Sequence, residues 1–344
     1  MMINETLEKV VEGHPVGREE AHAAMAAIMS GGCTPAQIGA FLVALRMRGE
    51  TVDQISGFAA AMRDNCIRIR TKHEEVVDTC GTGGDALDTF NVSTAAAIVT
   101  AAAGVPVAKH GNRSVSSQCG SADVLSELGV RVDLEPEEVE ACLDEVGIGF
   151  LFAPALHPAM KHAIGPRREL GLRTVFNILG PLTNPAGARR QLLGVFDPAW
   201  TQVLAETLGD LGTTHAMVVH GLQGLDELST LGPTRVSELR DGEVRSYEVT
   251  PEEFGLGCTT AEEIAGGEPA ESAEILLEAI SGQEGARRDI VALNAGAAIY
   301  VGGKAQSVSE GMELARAAID SGQARETLDG LREMSRTLAG ARAT

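Results

Sequence analysis

Aromatic residues are scarce in this chain, at 3% of the sequence with a single tryptophan. Surfaces that bind single-stranded nucleic acid rely on aromatic platforms to stack the bases, so this scarcity disfavours that class. Positive charge is short as well. Lys and Arg together number 28 against 48 Asp and Glu, a formal net charge of −20. The basic footprint that phosphate backbones require is therefore missing. A small anionic substrate is not excluded, because a pocket can be locally positive on an acidic protein. The six cysteines (Cys33, Cys66, Cys80, Cys119, Cys142 and Cys258) form no CxxC pair. Neither a zinc knuckle nor a redox motif is signalled, and a reduced cytoplasm is the expected location. No charge-free apolar run reaches the roughly 18 residues of a membrane span. The nearest, AAAIVTAAAGVPVA, is broken by Gly104 and Pro106. The first residues, with early acids and no apolar core, do not read as a signal peptide.

What is present is a chain of 344 residues with 44% hydrophobic content. That is ample for a packed core and suggests two domains, or one with an appendage. Residues 1–70 read as four helices and no strand. Thr34-Pro35-Ala36-Gln37 is a capping-box pattern with proline at the first helical position, and Thr51-Val52-Asp53-Gln54 repeats the signal. Ile38, Phe41, Leu42 and Leu45 follow at helical spacing. From Glu75 on the pattern changes. VVDTC, VPVAKH, VRVDL, IGFLFAP, LLGVF and HAMVVHG read as strands, alternating with helical segments, and SELRDGEVRSYEV reads as a hairpin turning at Asp241-Gly242. Strand–helix alternation predicts an α/β fold with a mostly parallel sheet flanked by helices.

Chemistry concentrates in loops leaving the predicted strands. Gly81-Thr82-Gly83-Gly84-Asp85 frees backbone N–H groups to converge on an anion, although a tight strand-to-helix turn is an even alternative. Asn91-Val92-Ser93-Thr94 precedes an alanine-rich helix. It suits simple capping, phosphate binding at the helix end, or a Ser93 hydroxyl on Mg²⁺. Lys109-His110-Gly111-Asn112-Arg113-Ser114 puts two permanent cations at a strand exit, where α/β sheets bind ligands. Gly120-Ser121-Ala122-Asp123 opens another helix. Asp226-Glu227 could hold Mg²⁺ against a diphosphate or form a solvated turn. Arg167-Arg168 could clamp a carboxylate or face solvent on a helix. His157, beside Pro158, reads as structural, and no residue is assigned as acid, base or nucleophile.

Six motifs in order carry a resemblance: GTGGD at 81–85, NVST at 91–94, KHGNRS at 109–114, GSAD at 120–123, RTVFNILGPLTNP at 173–185 and DELS at 226–229. Together the chain resembles the anthranilate phosphoribosyltransferase family of tryptophan synthesis. The resemblance implies a helical domain over residues 1–70, joined in space by helices within about 158–190, and an α/β domain over 74–344, with the active site between them. It implies a homodimer through the helical domain and transfer of phosphoribose from 5-phosphoribosyl 1-diphosphate (PRPP) to the amine of anthranilate, with two Mg²⁺ ions. PRPP would be bound by Gly81, Gly84, Asp85, Thr89, Asn91, Val92, Ser93, Thr94, the run Lys109, His110, Gly111, Asn112, Arg113, Ser114, Val115, Ser116 and Ser117, and Ser121. Gly81, Asn112 and Arg167 would contact anthranilate, and Ser93, Asp226 and Glu227 the metal. One departure is visible. The family more often has Lys then Ser or Thr at 118 and 119, where this chain has Gln118 and Cys119, so a cation near the diphosphate is missing. The alternatives are a pyrimidine nucleoside phosphorylase-like enzyme, which the acidic pair disfavours, and a non-catalytic nucleic-acid-binding relative, which the net charge disfavours.

Overall fold

A computed structural model describes residues 3–84, 87–114 and 118–341. The chain opens with four helices: α1 (Ile3–Glu12), α2 (Arg18–Met29), α3 (Pro35–Arg48) and α4 (Val52–Asp64). Both capping boxes form, Thr34 with Gln37 and Thr51 with Gln54, so each helix starts where its first free N–H groups find a side-chain acceptor. Ile38, Phe41, Leu42 and Leu45 are all buried, with Phe41 and Phe58 edge to face at 5.9 Å.

The remaining chain alternates β1 (Val77–Asp78), α5 (Val92–Ala102), β2 (Val107–Gly111), α6 (Ser121–Glu127), α7 (Pro136–Val146), β3 (Ile148–Phe152), α8 (Ala153–Leu156), α9 (Lys161–Leu170), α10 (Phe176–Leu179), β4 (Arg190–Gly194), α11 (Trp200–Asp210) and β5 (His215–Gly221). The hairpin β6 (Thr234–Arg240) and β7 (Glu243–Val249) follows, and then α12 (Pro269–Ala279), α13 (Ala286–Val301), α14 (Val308–Asp320) and α15 (Gln323–Ala341). Among the described residues the strands form one sheet in the order β3-β2-β1-β4-β5-β6-β7. The first five are parallel; β6 and β7 are antiparallel. Asp241 and Gly242 turn the hairpin with φ of 53° and 80°, the left-handed conformation such a two-residue turn needs.

The two faces of the sheet serve different cores, because side chains alternate along a strand. Met217 and Val219 of β5 enter the core built with α5 and α12–α15. Ala216 and Val218 enter the core shared with α1–α4, α9, α10 and α11. Helix α9 packs on α2 and α3, and α10 on α4, so residues from the middle of the chain complete the N-terminal helical lobe. Arg63 of α4 fastens it, donating from Nε to Leu182 O (2.7 Å) and from Nη1 to Leu211 O (3.1 Å).

The expected strand VRVDL is not one. Residues 130–134 carry no regular secondary structure; Val130, Val132 and Leu134 are buried at alternate positions, but no ladder forms. The backbone is satisfied elsewhere: Val130 N–H donates to Leu125 O (2.9 Å) and Arg131 N–H to Ser335 Oγ of α15 (3.1 Å). Arg131 and Asp133 between them are exposed, so the alternation needs only one packed face, which the core supplies here without a neighbouring strand.

Candidate active site

The strand order reverses between β1 and β4, and ligands of open α/β sheets bind beyond the carboxyl ends of the strands at such a point. The glycine loop emerges there. Thr82 N–H donates to Gly194 O at the end of β4 (2.8 Å), closing the gap between the two strands. Gly83 and Gly84 have φ of 64° and 79°, which side chains resist. Gly194 is required for a different reason. A Cβ there would collide with the Asp226 carbonyl, so its bareness lets the acidic loop lie against the strand end.

A cleft of about 990 Å³ opens at this position between the sheet and the helical lobe. Its walls include Gly81, Gly84, Thr89, Asn91, Val92, Ser93, Lys109, His110, Gly111, Asn112, Arg113, Ser114, Ser121, Arg167, Asp226 and Glu227. Residues expected from six separate stretches are thus brought together. Thr94 is not: it lies in the first turn of α5, buried with its hydroxyl unpartnered, because one step further along the helix points into the core. Asp85, Val115, Ser116 and Ser117 lie outside the described residues.

Asn91 precedes α5 without capping it. Its amide donates to Cys119 O (3.1 Å), tying the helix start to the loop before α6. The cap is supplied from afar: Ser93 N–H donates to Glu227 Oε1 (3.1 Å). The acidic loop is itself held by Asn294 of α13, which accepts from Leu228 N–H (3.0 Å) and donates to Leu228 O (2.9 Å). Lys109, 3% exposed, reaches Thr79 O (3.4 Å), Thr79 Oγ1 (3.3 Å) and Ser93 Oγ (3.4 Å). Burial pushes its ammonium below the usual value, opposed by the neighbouring acids Cys80, Asp78, Glu227 and Asp226. Burial likewise pushes the Asp226 carboxyl up. A cation beside Asp226 would relieve that cost.

Among the described residues no cluster of three or more acidic, histidine or cysteine side chains forms an all-protein metal cage. The donors at hand are the carboxylates of Asp226 and Glu227 and the Ser93 hydroxyl, all hard oxygens. They fit Mg²⁺, which typically takes one or two carboxylates and completes its shell with water and substrate phosphate.

The opposite wall comes from the helical lobe. Arg167, in the last turn of α9, lies over the Phe176 ring at 5.0 Å and has no carboxylate partner among the described residues. Arg173 lies over Phe196 at 4.4 Å and donates to Gly84 O (2.7 Å), reaching from the α9–α10 link to the glycine loop. His110 and His157 stand 5.1 Å apart, and burial pushes them down to about 3 and about 4. Both are neutral at pH 7. Sequence reasoning does not single out His157 or Arg173 as site residues. Arg173 opens the RTVFNILGPLTNP motif, which is its available signal; His157 has none beyond its proline neighbour.

The helical bundle, the reversing parallel sheet and the cationic cleft between them define an α/β glycosyltransferase. The family models agree: "Glycosyl transferase family, a/b domain" matches residues 73–325 and "Glycosyl transferase family, helical bundle domain" matches 4–66. The anthranilate phosphoribosyltransferase of Pelotomaculum thermopropionicum is 55% identical over 338 residues, covering 98% of each chain. The crystal structure of anthranilate phosphoribosyltransferase from Thermus thermophilus superposes with a TM-score of 0.91 at 46% identity, over 96% of this chain and 99% of that one. The Saccharomyces cerevisiae anthranilate phosphoribosyltransferase in complex with PRPP and Mg superposes with a TM-score of 0.88 at 27% identity, over 98% of each chain. This chain belongs to the anthranilate phosphoribosyltransferase family.

Proposed function

We propose that the cleft transfers the phosphoribosyl group of PRPP to the amine of anthranilate, giving N-(5-phosphoribosyl)anthranilate and diphosphate, a step of tryptophan biosynthesis. The observation that carries this reading is the convergence of Lys109, Ser93 and the Asp226-Glu227 pair beneath the glycine loop, facing Arg167 across one cleft.

In this reading Gly81, Gly84, Thr89, residues 91–93, residues 109–114 and Ser121 cradle PRPP, and Lys109 places its ammonium where charge gathers on the departing diphosphate. Asp226, Glu227 and Ser93 hold two Mg²⁺ ions, which when bound neutralise diphosphate charge as Lewis acids. Arg167 takes the anthranilate carboxylate, with Asn112 and Gly81 beside the ring. The bond from the anomeric carbon to the diphosphate oxygen breaks, its electron pair leaving with diphosphate. The amine lone pair forms the new C–N bond, and the nitrogen then loses a proton to solvent. An aromatic amine is already neutral at pH 7, and the buried histidines, pushed down to about 3 and about 4, are weak bases, so the site relies on positioning and leaving-group stabilisation rather than a strong base. The reading also includes a cytoplasmic homodimer joined through residues 1–70 and the helices of 158–190, and an α/β domain over 74–344.

A product assay tests the reaction. PRPP, anthranilate and Mg²⁺ should yield phosphoribosylanthranilate and diphosphate in equal amounts, with no cleavage of pyrimidine nucleosides by phosphate. Nucleoside phosphorolysis without anthranilate turnover would replace the reading with that of a phosphorylase.

A further inference from the structure

Asp78 takes no part in the cleft wall, yet its carboxylate is the point from which the two loops at the cleft floor hang. It is 0% exposed, and a buried carboxylate is costly unless hydrogen bonds and charge compensate. Here three donors converge on it. Oδ1 accepts from Cys80 N–H (3.0 Å), where the chain leaves β1 for the glycine loop. The same oxygen accepts from His110 N–H (3.1 Å), beside Lys109 near the end of β2. Oδ2 accepts from the Asn184 amide (2.7 Å). Asn184 also donates to Ala108 O (2.8 Å) and accepts from Ala186 N–H (2.9 Å).

The sheet explains why a side chain is needed. β1 is two residues long and pairs with β2 only through Val77 and Val107. Past Asp78 the strands diverge, while β2 runs on beside β3 to Gly111. A backbone ladder would close this fork; the Asp78 carboxylate bridges it and leaves it open. The Lys109 ammonium occupies the opening, within reach of Thr79 and Ser93. The negative charge of Asp78 also favours that ammonium in a site where burial works against it.

We infer that Asp78, braced by Asn184, is a positioning residue that sets the glycine loop and the Lys109 loop in register for the sugar-diphosphate substrate. This rests on the PRPP reading of the cleft. The variant Asp78→Asn keeps an acceptor for the two N–H groups, removes the charge, and turns one amide toward another at Asn184.

The test compares Asp78→Asn, Asn184→Ala and Val107→Ala, the last loosening the same strand pair without touching the carboxylate. Each is measured by steady-state kinetics in both substrates, by calorimetric PRPP binding with Mg²⁺, and by thermal unfolding. Asp78→Asn should lower kcat/KM for PRPP by about 100-fold, the cost of an ångström-scale misplacement. The anthranilate KM should stay within about threefold of wild type, well inside that loss. Asn184→Ala should show the same asymmetry at smaller size, and decides the matter where Asp78→Asn does not fold. Val107→Ala should lose stability without the asymmetry. Wild-type values of kcat/KM for PRPP in folded Asp78→Asn, or the same kinetic pattern in Val107→Ala, would overturn the proposal. A wild-type protein that binds no PRPP would instead sink the functional reading, and this proposal with it.

Discussion

At the residue scale the cleft divides its labour by charge and burial. Arg167 is the cation whose surroundings leave it available to a second substrate: it lies over Phe176 and has no ion pair among the described residues. A planar guanidinium matches a carboxylate with two parallel hydrogen bonds. Arg167→Ala should therefore raise the anthranilate KM by at least tenfold, since a charged hydrogen bond is worth about 1.5–3 kcal/mol, while leaving the PRPP KM nearly unchanged. Steady-state kinetics in both substrates would check this, and equal effects on the two would remove Arg167 from that role. The Gln118-Cys119 departure also sits at this scale. Both residues line the cleft, and burial pushes the Cys119 thiol up to about 11, so neither supplies charge to a diphosphate at pH 7.

At the element scale the antiparallel edge of the sheet is pinned by one carboxylate. Glu238 of β6 accepts from His215 Nε2 of β5 (3.0 Å), Tyr247 OH of β7 (2.8 Å) and Tyr300 OH of α13 (2.8 Å). Burial would raise its carboxyl, but these hydrogen bonds outweigh it and hold the group down to about 2, against 4.5 when unperturbed. Because the folded-state value is depressed, the stabilisation is complete above the unfolded value and is lost as pH falls toward the folded one. Wild type should thus melt higher than Glu238→Gln at pH 6, and the gap should narrow between about pH 5 and pH 3. A gap that stays constant over that window would contradict the assignment.

Legibility also divides at this scale. Helix starts at Thr34 and Thr51 and the turn at Asp241-Gly242 were readable, because capping and positive φ are set by residues within a few positions. The loops 81–84 and 109–114 were readable because their chemistry is contiguous. The links that position them were not. Asn184 meets Asp78 across 106 residues and Asn294 meets Leu228 across 66. An isolated buried Asn carries no local signature of its partner. VRVDL misled for a related reason, as its alternation records one buried and one exposed face and not the presence of a ladder.

At the scale of the whole molecule, the chain carries −20 yet its cleft gathers six cations (Lys109, Arg113, Lys161, Arg167, Arg168 and Arg173) against three carboxylates (Asp88, Asp226 and Glu227) among the described residues. An acidic shell around a cationic cleft rejects long polyanions while favouring small anions inside the cleft. Both proposed substrates are such anions. The central claim is that this one cleft joins them, and anthranilate fluorescence tests it most directly. With PRPP, Mg²⁺ and the protein together, the fluorescence should fall to completion, and omitting either PRPP or Mg²⁺ should leave it unchanged. Persistent fluorescence with every component present would contradict the account.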